Sequence, residues 1–86
     1  MKPILYIKKG CPWCVDALNY FQAKGLKLDI RDVQVSTDDM RDLQKVSGQT
    51  LTPTLSYGDF LVADFDISEF EIAIDKFPAV KSSLGL

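Results

Sequence analysis

Two cysteines three positions apart are the residues of this chain best suited to chemistry. Cys11 and Cys14 are its only cysteines, and Pro12 and Trp13 stand between them. A disulfide between them would close a very short loop and remove little conformational entropy from the unfolded chain, so it would be a poor structural crosslink. A Cys-x-x-Cys pair is more typical of thiol–disulfide chemistry or of metal binding.

The absence of histidine narrows the chemistry that these cysteines can do. It excludes Cys–His and Ser–His nucleophilic sites and every metal site with a histidine ligand. Two sulfurs alone do not complete a zinc or iron–sulfur site, so such a site would need a second chain or an external thiol. We therefore favour redox chemistry and expect no resident metal, and we keep a non-enzymatic iron–sulfur or metal-binding dimer as an alternative.

Length and composition set the class of protein. The chain has 86 residues, of which 47% are hydrophobic, and its formal net charge is −2. These values predict one domain over residues 1–86. The lack of a basic face argues against nucleic-acid binding. No signal peptide or membrane span is recognisable, so we expect a cytoplasmic monomer, in a compartment where thiols stay reduced.

The segments around the cysteine pair predict a strand, a helix and a second strand. Residues 3–7 form a short apolar run, a helical pattern starts at Pro12 and ends near Gly25, and residues 26–33 alternate apolar and charged side chains. Two strands joined by one helix make a parallel pair with a right-handed crossover. A Cys-x-x-Cys pair at the start of that helix is typical of a thioredoxin-like redox motif.

The rest of the chain predicts a helix, a hairpin and a last helix. Ser36 or Thr37 would begin the second helix, residues 53–57 and 60–63 would form a hairpin around Gly58-Asp59, and Asp66 would cap the last helix. The expected core positions on these two helices are Met40, Leu43, Val46, Phe70, Ile74 and Phe77. The tail from residue 78 would add a helical turn and then fray. The predicted class is α/β, a four-stranded mixed sheet with helices on both faces in the order β-α-β-α-β-β-α.

The position of Cys11 predicts the roles of the two thiols. The free N–H groups and the dipole at the start of the first helix stabilise a thiolate there, and Lys8 and Lys9 add positive charge. The thiolate is the attacking species in thiol–disulfide exchange. We therefore expect Cys11 to be the nucleophile and Cys14, one turn further into the helix and more buried, to be the resolving thiol.

Two segments resemble the glutaredoxin family. Cys11-Pro12-Trp13-Cys14 is similar to its Cys-Pro-Tyr-Cys active site, and the segment that ends in Thr52-Pro53 is similar to its Thr-Val-Pro segment. The resemblance implies a thioredoxin-like fold and a cis peptide bond before Pro53. It also implies an enzyme that reduces protein disulfides or mixed disulfides with glutathione, with no bound cofactor and with glutathione as co-substrate.

The resemblance also implies which residues bind glutathione. Lys8 would face the glycine carboxylate, Trp13 would form an apolar wall, and Thr52 beside Pro53 would pair with the cysteinyl backbone. Phe65 and Asp66 would hold the γ-glutamyl end, where helix N–H groups suit a carboxylate and the Asp66 side chain suits an ammonium group.

The chain departs from the family pattern at two places. Gln49 stands where members often have Arg, and Ala63-Asp64 replaces a frequent Gly-Gly pair. Asp64 puts a negative charge near the expected carboxylate site. A second interpretation therefore keeps the dithiol chemistry and changes the electron donor, as in glutaredoxin-like proteins that are reduced by thioredoxin reductase.

Overall fold

The computed structural model describes all residues, Met1–Leu86, and contains four strands and four helices. The strands are β1 (Ile4–Ile7), β2 (Asp29–Asp32), β3 (Thr54–Tyr57) and β4 (Phe60–Ala63). The helices are α1 (Pro12–Ala23), α2 (Thr37–Ser47), α3 (Ile67–Asp75) and α4 (Pro78–Ser83). None of these helices combines the length and the apolar character that crossing a membrane requires.

The strands form one mixed sheet in the order β2-β1-β3-β4. Strand β1 is parallel to β2 and antiparallel to β3, with Leu5 opposite Leu55, and β3 and β4 form an antiparallel hairpin. The predicted four-stranded mixed sheet is therefore confirmed. Because β1 and β3 run in opposite directions, the residues after β1 and the residues before β3 meet at the same end of the sheet.

Helices cover both faces of this sheet, as predicted. On one face, Phe21 of α1 and Phe70 of α3 are fully buried with Leu5 and Leu55, and the two rings meet edge to face with centroids 4.9 Å apart. On the other face, Leu43 of α2 packs against the opposite side of β1. The two apolar layers fix the ends of the strands, and with them the loops that contain the cysteines and Pro53.

The structure corrects four details of the predicted elements. Strand β2 covers only four residues, and Val46 lies 43% exposed on α2. Helix α3 ends at Asp75, and Phe77 lies outside it, half exposed, because the next residue, Pro78, disfavours a helical conformation at position 77. The tail does not fray: it forms α4, and Leu84 is buried in the larger core.

Candidate active site

The end of the sheet where β1 stops and β3 starts holds the cysteine pair. Cys11 follows β1 after a three-residue turn, and Thr52 and Pro53 directly precede β3. Asp64 directly follows β4, whose last residue, Ala63, lies opposite Thr54 in the sheet. Three loops from separate parts of the sequence therefore meet around Cys11.

Cys11 is the N-cap residue of α1, and its sulfur is the capping acceptor. The backbone N–H of Cys14 donates to Cys11 Sγ at 3.2 Å. Pro12 occupies the first helical position, where an N–H group would have no partner within the helix, so its lack of one removes no hydrogen bond. On its other side the sulfur lies 3.8 Å from the carbonyl oxygen of Thr52 and 3.9 Å from its Oγ1. The Thr52 hydroxyl and the Cys14 N–H are thus both placed to donate to a thiolate at position 11.

Both sulfurs are more buried than expected for an exposed nucleophile. Cys11 is 5% exposed and Cys14 is 2% exposed. Cys14 is therefore more buried than Cys11, as expected, but the difference in burial is small. Their surroundings differ, because Cys11 lines an open cleft of about 250 Å³ and Cys14 does not. The cleft is lined by Lys8, Gly10, Cys11, Pro12, Trp13, Leu51, Thr52 and Asp64. A substrate sulfur that enters this cleft meets Cys11 first.

The Cys14 thiol is held in its protonated form. Burial raises the pKa of Cys14 above its ordinary value, and the side-chain hydrogen bond with Cys11 raises it further. A thiol that stays protonated does not compete with Cys11 for the first attack, since only the thiolate attacks.

A buried threonine joins two walls of the cleft. Thr54 is fully buried, and its Oγ1 donates to the Leu51 carbonyl at 2.9 Å. The same oxygen accepts from the Gln49 amide at 3.2 Å and from the Asp64 backbone N–H at 3.4 Å. Gln49 therefore supports the loop that contains Thr52 and is not aimed at a ligand as an arginine there would be.

A second pocket adjoins the cleft and is acidic. It encloses about 310 Å³ and is lined by Trp13, Asp64, Phe65, Asp66 and Glu69. Trp13 and Asp64 line both cavities. Three carboxylates border this pocket, and neither Lys nor Arg lines it.

Comparison with known proteins identifies the family. The family model described as Glutaredoxin matches residues 4–62, which include the cysteine pair, Thr52 and Pro53. The chain belongs to the glutaredoxin family. A comparison with curated proteins finds no significant match.

Solved structures support the same fold. The chain is similar to the thioredoxin-like protein BC3987, with a TM-score of 0.75 and 22% identity over 84% of this chain and 99% of that one. A glutaredoxin from Archaeoglobus fulgidus gives a TM-score of 0.73 and 17% identity over 85% of each chain. The glutaredoxin-like NrdH-redoxin from Escherichia coli gives 0.67 and 15% over 84% of this chain and 95% of that one. The predicted thioredoxin-like fold is confirmed.

The structure places three of the six residues expected at a glutaredoxin's glutathione site in the lining of the cleft. Lys8, Trp13 and Thr52 line it, and Trp13 is 57% exposed. Pro53 is buried beside Thr52, and the bond between the two is cis, as the resemblance implied.

The other two expected residues line the adjoining acidic pocket and make hydrogen bonds within the protein. The Phe65 side chain is buried in the core, and its N–H donates to the Pro53 carbonyl at 3.3 Å. Asp66 caps α3: its Oδ1 accepts from the Glu69 N–H at 2.8 Å, and its own N–H donates to Glu69 Oε1 at 3.0 Å. Glu69 was not anticipated at this site, although an acidic cap followed three residues later by Glu is a recognisable capping-box pattern.

Proposed function

We propose that this glutaredoxin-family protein is a thiol–disulfide oxidoreductase in which Cys11 is the nucleophile and Cys14 is the resolving thiol. The observation that supports this most directly is the position of the Cys11 sulfur. It caps α1 at 3.2 Å from the Cys14 N–H and borders an open cleft beside Thr52. A helix N-terminus that faces a sulfur favours its anionic, nucleophilic form.

The proposed reaction proceeds through two exchanges of sulfur. The Cys11 thiolate attacks one sulfur of the substrate disulfide, the S–S bond breaks, and the other half leaves as a thiolate that takes up a proton from solvent. Cys14 then loses its proton and attacks Cys11 Sγ, which releases the second half of the substrate as a thiol. The substrate has gained two electrons, and Cys11 and Cys14 are left joined by a disulfide that an external reductant must reduce.

We propose that substrates bind along the backbone of Thr52. An extended segment on either side of the substrate cysteine can pair with this backbone as one rung of a sheet. Trp13 offers an apolar wall, and Lys8 can attract a carboxylate at one side of the cleft. These contacts suit disulfide-containing proteins and mixed disulfides with glutathione.

The electron donor has two candidates, glutathione and a thioredoxin reductase. Lys8, Trp13 and Thr52, which line the cleft, favour glutathione. The capping box of α3 counts against it, because the Asp66 and Glu69 N–H groups that could bind a γ-glutamyl carboxylate already have acceptors, and a reductase is therefore the second candidate. The NrdH-redoxin of similar fold is described as having a thioredoxin-like activity profile, which supports testing both donors.

The roles of the thiols can be tested with two single-cysteine variants. Since the chain has no third cysteine, Cys14→Ser leaves only Cys11, and Cys11→Ser leaves only Cys14. With a glutathionylated peptide, Cys14→Ser should accumulate a mixed disulfide visible by mass spectrometry, and Cys11→Ser should form none. Formation of the adduct on Cys14 with Cys11 inert would refute the assignment.

The donor can be tested by coupling the wild-type protein to NADPH oxidation. One assay contains glutathione and its reductase, and the other contains thioredoxin reductase alone. Turnover only in the second assay would remove glutathione from the proposed function. We also propose a cytoplasmic location, because the pair needs a reducing compartment in order to be regenerated.

A further inference from the structure

The charges around the cleft are distributed unevenly. Lys8 is the only cation that lines the cleft, and it does not border the acidic pocket beyond Trp13. Asp64, Asp66 and Glu69 all border that pocket, and all three are exposed to solvent. A substrate whose sulfur reaches Cys11 and whose chain continues past Trp13 therefore meets carboxylates.

Side chains of the capping box already accept from two of the backbone donors at the start of α3. The N–H groups of Asp66 and Glu69 each donate to the other residue's carboxylate, at 3.0 and 2.8 Å. The Phe65 N–H donates to the Pro53 carbonyl. A carboxylate that binds the Asp66 or Glu69 N–H would have to displace an internal carboxylate, whereas an ammonium or guanidinium group would meet free carboxylate oxygens.

Asp64 adds to this uneven distribution of charge, and its backbone conformation is one that glycine adopts more readily than other residues. Its φ is +50°, and it is the only non-glycine residue in the left-handed region. Glycine adopts that region without a steric penalty, and aspartate and asparagine tolerate it better than other residues. A carboxylate therefore lines both cavities at a position whose backbone conformation suits glycine.

We propose that Asp64 and Glu69 are specificity-determining residues that select substrates by charge. The cleft favours disulfides with a cation beside the reacting cysteine, such as a protein disulfide flanked by Lys or Arg. It disfavours disulfides that place a carboxylate on the Trp13 side. This inference rests on the proposed oxidoreductase function and assigns a substrate class to the same site.

Three small disulfides of similar size and different charge provide the test. They are cystamine, which is cationic, bis(2-hydroxyethyl) disulfide, which is neutral, and dithiodiglycolate, which is anionic. The reduced protein is mixed with an excess of each one, and the second-order rate constant for its oxidation is divided by the value for the neutral disulfide with the same protein. This ratio removes any general change in the reactivity of Cys11.

Asp64→Asn and Glu69→Gln remove the charges and retain the local structure. Asparagine tolerates a positive φ, and glutamine can keep the capping box. Each variant should raise the ratio for dithiodiglycolate by about threefold and lower the ratio for cystamine by a similar factor, the size expected for one exposed charge. The change should shrink in 0.5 M salt because the charges are screened.

Asp59→Asn is the matched control, because Asp59 is an exposed carboxylate in the β3–β4 turn, at the opposite end of these strands from the cleft. It changes the net charge equally and should leave both ratios unchanged. If the ratios for Asp64→Asn and Glu69→Gln equal those of the wild type or of Asp59→Asn, charge selection by these residues is refuted. Failure of the wild-type protein to reduce even the neutral disulfide would instead refute the proposed function.

Discussion

Replacing Thr54 by valine tests whether the buried hydroxyl joins the walls of the cleft. The two side chains have nearly the same shape, so the change removes the hydroxyl and leaves the packing volume. Thr54 Oγ1 makes three hydrogen bonds, to the Leu51 carbonyl, the Gln49 amide and the Asp64 N–H, at 2.9, 3.2 and 3.4 Å. All three are lost in Thr54→Val.

The expected loss of stability follows from these three bonds. A typical hydrogen bond contributes about 1 kcal/mol, which sets a sum of about 3 kcal/mol. The bond to Asp64 is long, and Leu51 and Asp64 are exposed, so water can replace part of the loss. We expect the free energy of unfolding to fall by about 2 kcal/mol, which in a domain of this size lowers Tm by about 10 °C.

Urea and thermal unfolding followed by far-ultraviolet circular dichroism measure this loss. Thr50→Val is the matched control, because Thr50 is exposed in the same loop and forms no side-chain hydrogen bond. Thr54→Ser keeps the hydroxyl and should restore the three bonds, although it loses a buried methyl group. A Thr54→Val protein within about 0.5 kcal/mol of Thr50→Val would show that the hydroxyl does not join the walls.

Further predictions concern the buried thiol, the aromatic core and the ion pairs of Arg31. Because burial raises the pKa of Cys14, the folded reduced protein holds this proton more tightly than the unfolded chain does. Its free energy of unfolding should therefore fall as the pH rises above about 9, and Cys14→Ser, compared by urea titrations at pH 7 and 10, should fall less steeply. Phe70→Ala should cost about 4 kcal/mol in chemical unfolding, since it removes the ring that contacts Phe21 from a fully buried position; a loss below about 1 kcal/mol would contradict this. Arg31→Met should cost about 1 kcal/mol at low salt and less in 1 M NaCl, because Arg31 pairs with Asp29 at 3.0 Å and Asp42 at 2.9 Å; a salt-independent cost would exclude these pairs as its cause.

Local signals were enough to predict the order of the elements along the chain and the reactive motif. Capping residues mark the helix boundaries: Ser36 accepts from the Asp39 N–H at 3.2 Å, and Gly48 ends α2 in the left-handed conformation. The cysteine pair lies directly after a short apolar strand, which places Cys11 at the start of α1 whatever the rest of the chain does. These features depend on neighbours within a few residues, so the sequence alone reveals them.

Features that depend on distant contacts were predicted poorly. Leu84 is buried because it packs against a core built from the other end of the chain. Thr54 contacts Asp64 only after the β3–β4 hairpin has formed. Composition and periodicity contain no signal for such contacts, which arise from the assembled fold.

The Cys11 sulfur has both a structural role and a proposed chemical role in α1. The Cys11 sulfur that ends the helix is also the atom that would exchange partners with a substrate. A disulfide sulfur is a weaker acceptor than an anionic one, so oxidation would loosen the first turn of α1 and reduction would tighten it again. If Cys11 exchanges sulfur as proposed, the order of the first turn of α1 would therefore change with the redox state of the cysteine pair.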